Sequence, residues 1–175
     1  GRKGKVSMQG LIAQTIDQDA FRGFRSIVEP AGLNVLEPQE DQGNPADTTR
    51  VAAALIQAHP DLVGMAGFDS ESGPGIGQAI KEAGKTGSIV GTTVEAEEQV
   101  LKFIRDGVIA AAVKQKRPLF TYQGVKSLFD IVHNTLKFTP DDKRMEIVPI
   151  PVRLVTGLYT VTRSNVDLFL AKHAV

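Results

Sequence analysis

Leu62-Val63-Gly64-Met65-Ala66-Gly67-Phe68 is a run of seven residues without a polar side chain. A strand with one face in water alternates polar and apolar residues. A continuous apolar run suits a strand covered on both faces, as in the middle of a parallel sheet flanked by helices. Four further stretches read as short strands, at 5–10 (KVSMQG), 33–36, 88–91 and 108–113, and an amphipathic segment follows each of the first four strands. Residues 17–28 carry Phe21, Phe24 and Val28 on one helical stripe, ended by Pro30 and Gly32. After a polar loop over 38–43, Asn44 is placed as an N-cap, with Pro45 at the first helical position and Asp47 behind it. That helix shows Val51, Leu55 and Ala58 on one side and ends at His59-Pro60-Asp61. Gly73, Gly75 and Gly77 read as a turn leading into a helix around Ile80, closed by Gly84. A helix over 95–106 has Glu95, Glu97 and Glu98 in its first turn, Lys102 and Arg105 near its end, and Gly107 after it, as the helix dipole and C-cap favour.

Five strand–helix steps with short connections predict an α/β fold, a three-layer αβα doubly wound parallel sheet. Beyond residue 115 the style changes. A helix over 119–136 shows Val125, Leu128, Val132 and Leu136 on one stripe, and 137–144 is a charged loop. Pro149 and Pro151 make 146–155 unsuited to a central strand. Residues 164–174 close the chain as a helix capped by Ser164 or Asn165.

Twenty Lys and Arg balance twenty Asp and Glu among 175 residues, which argues against a nucleic-acid groove or a polybasic membrane anchor. Without Cys there is no disulfide framework or thiolate nucleophile, and His59, His133 and His173 are too scattered for a metal site. No cofactor is expected. Gly1-Arg2-Lys3-Gly4-Lys5 reads as solvated, with no apolar signal region after it, so the chain is expected to be a mature product or a fragment. No uncharged apolar stretch approaches the roughly 20 residues of a membrane span.

Ligands of open parallel sheets bind beyond the carboxyl ends of the strands. Past the first strand come Gln9, Gln14 and Gln18; past the third, Asp69 and Ser70; past the fourth, Thr92 and Thr93; past the fifth, Gln115. Amides and hydroxyls both donate and accept, and Asp69 offers two acceptor oxygens, a set suited to a neutral ligand rich in hydroxyls. Neither a general base with its nucleophile, a carboxylate dyad nor a phosphate-binding lysine accompanies them, which points away from an enzyme. The competing reading is that polar residues at strand ends are ordinary loop residues. Gly73-Pro74-Gly75-Ile76-Gly77 misses the dinucleotide fingerprint, because the third glycine would fall on Gln78; a tight turn or a close helix–sheet approach explains it better. Asp17-Gln18-Asp19 fits a helix N-terminus better than a metal site. His59 reads as a helix end and His133 as a surface or packing residue.

The runs QGLIAQTIDQDAFRGF, NVLEPQEDQGNPAD, LIQAHPDLVGMAGFDSES, AGKTGSIVG, RDGVIAAAVKQ and VTRSNVDLFL resemble, in order, the type I periplasmic sugar-binding proteins of ribose-binding kind. Those are the capture subunits of ABC importers, and lac-repressor-type regulators share their fold. The resemblance implies a flavodoxin-like strand order 2-1-3-4-5 and the C-terminal half of a two-lobed protein. Residues 1–115 would be the sugar-binding lobe, 116–148 would pack on the missing N-terminal lobe, and 149–175 would return. The family's binding positions fall at Gln18, Asp69, Thr93 and Gln115. Asp69 and Gln115 match the family pattern; Gln18 stands where arginine is frequent, and Thr93 where aspartate is usual. The ligand would therefore be a neutral sugar or polyol, and ribose specificity is not implied. An ABC permease would be the partner and the periplasm the location. The isolated half would expose the stripe of 119–136 and invite self-association. The alternatives in other classes are the effector-binding part of a transcriptional regulator and a sugar-sensing receptor ectodomain.

Overall fold

The computed structural model describes residues 3–133, 135–148 and 150–172. Two expectations reach past these limits: the N-terminal Gly1 and Arg2, and the C-terminal end of the closing helix with His173, lie outside the described residues. The chain forms two compact units, one of residues 1–114 with 160–175, the other of residues 115–159.

In the first unit, β1 (Lys5–Gly10), β2 (Asn34–Val35), β3 (Gln39–Glu40), β4 (Leu62–Gly67), β5 (Val90–Val94) and β6 (Ile109–Gln115, whose last residue belongs to the second unit) join one sheet with β7 (Leu158–Thr162). Its order is β2-β1-β4-β5-β6-β7, with β3 paired to β1 off that path. The pairs β1–β2, β1–β3, β1–β4, β4–β5 and β5–β6 are parallel. Taking the five strands expected from sequence, the order is 2-1-3-4-5.

The residue alternation of β1 divides the layers. Val6 and Met8 face α1 (Thr15–Val28) and form a core with Phe21 and Val35, to which Phe24, Val28, Leu33, Val63 and Phe68 add. Gln9 points to the opposite face, where its Nε2 donates to the Thr48 carbonyl of α2 (Pro45–Ala58). On that side α2 packs on α3 (Ser72–Glu82), α3 on α4 (Glu98–Arg105), and α4 on α6 (Val166–Lys172). The Asn44 cap forms as expected, its side chain accepting from the Asp47 amide at 2.9 Å.

Several boundaries differ from expectation. The three glycines are no turn: they occupy the first turns of α3, fully buried. A Cβ at Gly73 would meet Thr93, at Gly75 Thr48, and at Gly77 Phe103, each at under 3.0 Å. Close packing of α3 on the sheet and its neighbouring helices, the other explanation offered, is the physical reason. On α2 the buried positions are Thr48 and Ala52, with Val51 and Leu55 only half-buried, because the helix turns its small residues toward α3. The fourth strand is shifted, so that Thr92 and Thr93 lie inside β5. Glu95 is not helical: it adopts φ of 65°, is buried, and precedes the α4 cap at Glu97. β3 and β7 add to the five strands expected from sequence.

The second unit holds α5 (Arg117–His133), followed by turns over 139–146. Among the described residues its buried side chains are acidic. Asp130 accepts from Lys126 Nζ and Thr135 Oγ1, and Asp142 from the Phe138 and Thr139 amides and Thr139 Oγ1. These donors hold both carboxyls below the usual range, the Lys126 ammonium leading for Asp130 and the Thr139 hydroxyl for Asp142. His133 stacks on Phe129 with ring centroids 4.0 Å apart.

Candidate functional site

Gln9, Gly67 and Thr93 form one rung across β1, β4 and β5, and the loops above it carry most of the candidate residues. β1 ends at Gly10, and the Leu11 amide donates to Asp17 Oδ2 at 2.8 Å. Asp17 is thus a buried residue of the first turn of α1, not a solvated one. Burial raises its carboxyl, the Leu11 bond opposes, and the charges of Asp69 and Glu40 add to the rise. Gln14 sits at the α1 N-cap without a side-chain cap bond, exposed. Gln18, one turn on, is exposed and donates to the Ile12 carbonyl at 3.0 Å.

β4 leads directly into Asp69. Its Oδ1 accepts from the Glu71 amide at 2.8 Å, the Ser72 amide at 2.6 Å and Ser72 Oγ at 2.8 Å, so that oxygen closes the N-terminus of α3. Its Oδ2 is buried with no hydrogen-bond partner. Ser72 Oγ also lies 2.6 Å from Oδ2 of Asp41, which is wholly buried. The expectation that no second carboxylate accompanies Asp69 is therefore overturned. Asp41 is pushed up to about 6, first by burial and then by the charge of Asp69, with the Ser72 bond pulling the other way. Ser70 Oγ donates to its neighbour Glu71, at 3.4 Å.

The remaining candidates are placed differently. Gln9 is a buried strand residue whose Oε1 lacks a partner, not a loop residue beyond the strand. Thr93 is buried, donates to the Val94 carbonyl at 2.9 Å and lies behind Gly73 of α3. Gln115 is the last residue of β6 rather than the first after it. It belongs to the second unit, where it lines a cavity of about 280 Å³ with Phe120 and residues 153–158. Phe68 makes edge contacts with Phe21 and Phe24, at 5.1 and 5.6 Å between centroids.

The structure thus brings together Asp17, Asp41, Asp69 and Ser72, of which the sequence reading had assigned only Asp69 to the site. In sequence Asp41 lies in the polar loop over 38–43, beyond the second strand as the other candidates lie beyond theirs. Acceptors without partners and several carboxylates suit a ligand that brings hydroxyl donors and oppose an anion. Despite the carboxylates, among the described residues no group of three is arranged to hold a metal ion. A separate cavity of about 230 Å³, between Val6, Phe24, Val28, Val63 and Val90, opens near the starts of the strands; its lining is almost wholly apolar.

Comparison with known proteins agrees with this architecture. A D-ribose/D-allose-binding protein of Pseudomonas aeruginosa is 22% identical over 150 residues, covering 86% of this chain and 46% of that protein. A ribose import binding protein of Bacillus subtilis is 24% identical over 157 residues, covering 89% of this chain and 48% of that one. The chain therefore spans about half the length of these curated relatives. Among solved structures, a sugar-binding protein of a sugar ABC transporter from Bacillus halodurans superposes with a TM-score of 0.85 at 25% identity, over 95% of this chain and 58% of that one. The model of the periplasmic binding protein domain matches residues 1–135. On the strength of that match the chain belongs to the periplasmic binding protein domain family.

Proposed function

We propose that this chain is one half of a solute-binding protein that captures a neutral sugar or polyol outside the cytoplasmic membrane and delivers it to an ABC permease, without chemical turnover. The observation that carries the proposal is the acceptor-rich rim at the carboxyl ends of β1 and β4, built around Asp69, in a chain of this family. Relatives named for ribose and allose supply the ligand class. No helix among the described residues is long and apolar enough to cross a membrane.

In this reading Gln14, Gln18, Asp69, Ser70 and Thr93 are the ligand residues of the first unit, and Gln115 is a ligand residue of the second. Gln115 is the second crossover, 116–148 pack on a complementary lobe, and 149–155 return. Hinge closure between the lobes excludes water around the sugar, and the permease reads the closed form. Stacking against a sugar face comes from the complementary lobe, since Phe68 is engaged by Phe21 and Phe24. The exposed Tyr122, Val125, Leu128 and Val132 of α5 are the surface that lobe would cover.

Calorimetric titration of the protein that carries this chain against D-ribose, D-allose, a further aldohexose and a polyol tests the proposal. Saturable binding of at least one is expected, weakened about ten- to hundredfold by Asp69→Ala or Gln115→Ala, the cost of losing a hydrogen bond of this kind. Binding untouched by both substitutions overturns the site, and binding of none overturns the function.

A further inference from the structure

Ser72 Oγ stands 2.6 Å from Asp41 Oδ2 and 2.8 Å from Asp69 Oδ1, yet a serine hydroxyl has one hydrogen to donate. It satisfies one carboxylate. The other oxygen, held at hydrogen-bond distance from a second oxygen, requires a hydrogen of its own. The surroundings decide which carboxylate carries it. Asp69 Oδ1 already accepts from two backbone amides. Asp41 is wholly buried, and its other oxygen accepts from the Gly43 amide at 3.2 Å.

We propose that Asp41 holds a proton that it donates to Ser72 Oγ, that the Ser72 hydroxyl in turn donates to Asp69 Oδ1, and that this relay fixes the Asp69 carboxylate until the proton is lost as pH rises. Asp41 is then a positioning residue that acts through Ser72. With three donors on Oδ1, the acceptor capacity of Asp69 is left on Oδ2. When Asp41 ionises, two carboxylates compete for one hydroxyl hydrogen and repel each other, and Asp69 loses its third donor.

The charged groups around the relay support this order. Asp69 acts on Asp41 directly, from the β4–α3 loop, and raises it. Asp17 on α1 feels both Asp69 and Glu40, the β3 residue beside Asp41. Glu71 stands at the α3 N-cap, and on α2 Asp47 is paired with Arg50 at 3.1 Å. Burial is the largest cause of the rise at Asp41.

The consequence for the ligand rests on the sugar-binding proposal: affinity is highest with Asp41 protonated and falls by about tenfold above its titration, a coupling of ordinary size. By reciprocity, bound sugar raises the Asp41 midpoint by the same factor.

The test is NMR titration of the whole chain between pH 4 and 9, reading the Asp41 carboxyl carbon and the Glu71 and Ser72 amide protons. The expected result is an Asp41 midpoint well above the ordinary carboxylate range, with both amides shifting at that midpoint. Asp41→Asn, neutral at every pH and able to donate through its amide, should leave the two amides insensitive to pH, and Ser72→Ala should uncouple them from Asp41. An ordinary Asp41 midpoint, or amides that still titrate in Asp41→Asn, overturns the relay. The same titration with D-ribose or D-allose present separates the two proposals. If neither sugar moves any resonance while the amides follow Asp41, the relay stands and the sugar reading falls. If sugar binds equally at pH 5 and pH 8, the relay's control of affinity is overturned and the sugar reading stands.

Discussion

The two units differ in whether they bury apolar side chains at all. Among the described residues every buried apolar side chain, from Val6 to Val166, belongs to the unit of residues 1–114 and 160–175, including fully enclosed Met8, Met65, Ile76, Leu101 and Ile104. In residues 115–159 the buried side chains are Asp130 and Asp142, while Phe120, Tyr122, Val125, Leu128, Phe129, Val132, Phe138 and Met145 are exposed. The first unit has the core of a self-sufficient layered fold. The second spends its polar groups on local turns and keeps its apolar surface for a contact outside itself.

That contrast can be broken by substitution. Leu101→Ala, in the closed core, should cost about 2–5 kcal/mol in denaturant unfolding, the usual cost of an enclosed leucine. A loss below about 1 kcal/mol would mean that the first unit is looser than its packing implies.

Acidity should separate the units next. Asp41 is raised in the folded state, so its contribution is fully present below its ordinary value of 3.8 and lost as pH rises through about 6. By linkage that is about 3 kcal/mol, and Asp17, also raised, acts in the same direction. Asp130 and Asp142 are lowered, so their contribution is present above 3.8 and lost on acidification. Between pH 4.5 and 7.5 the first unit should lose thermal stability while the second does not, and Asp41→Asn should flatten the first curve. Unchanged slopes in that variant would assign the dependence elsewhere.

Gly75→Ala should destabilise by about 1–2 kcal/mol. The new Cβ would meet Thr48 and the Pro45 carbonyl at under 3.0 Å, and overpacking of this kind outweighs the roughly 1 kcal/mol gained in helix propensity. The smallest effect belongs to the second unit. Leu128→Glu should change unfolding by less than about 0.5 kcal/mol, as an exposed position does, while reducing self-association in sedimentation experiments. Association that persists would move the contact away from α5.

Much of the first unit was legible because its signals are local and repeated. The Phe21, Phe24 and Val28 stripe, the Asn44 cap and the apolar run at Leu62 each name an element and a buried face. What escaped depends on contacts distant in sequence. β3 is two residues long, too short for any period, yet its pairing with β1 places Asp41 beside Ser72. The α3 glycines look like a turn until Thr48, Thr93 and Phe103 are brought against them. Glu95 reads as a first-turn acid, but its positive φ takes it out of the helix and into the interior. β7 was missed although Tyr159-Thr160-Val161-Thr162 carries ordinary strand residues. At the site, sequence alone pointed to Asp69 but not to Ser72, three residues on, which holds its Oδ1, nor to Asp41, which reaches Ser72 from the stretch between β3 and α2.

The central claim is that a hydroxyl-bearing ligand docks at the carboxyl ends of β1 and β4. Amide chemical-shift mapping during titration with D-ribose and D-allose measures it most directly. The account predicts perturbations gathered at Gln14, Gln18, Asp69 to Ser72 and Thr93. Perturbations centred instead on the apolar cavity of Val6, Phe24 and Val90, or none at saturating sugar, would contradict it.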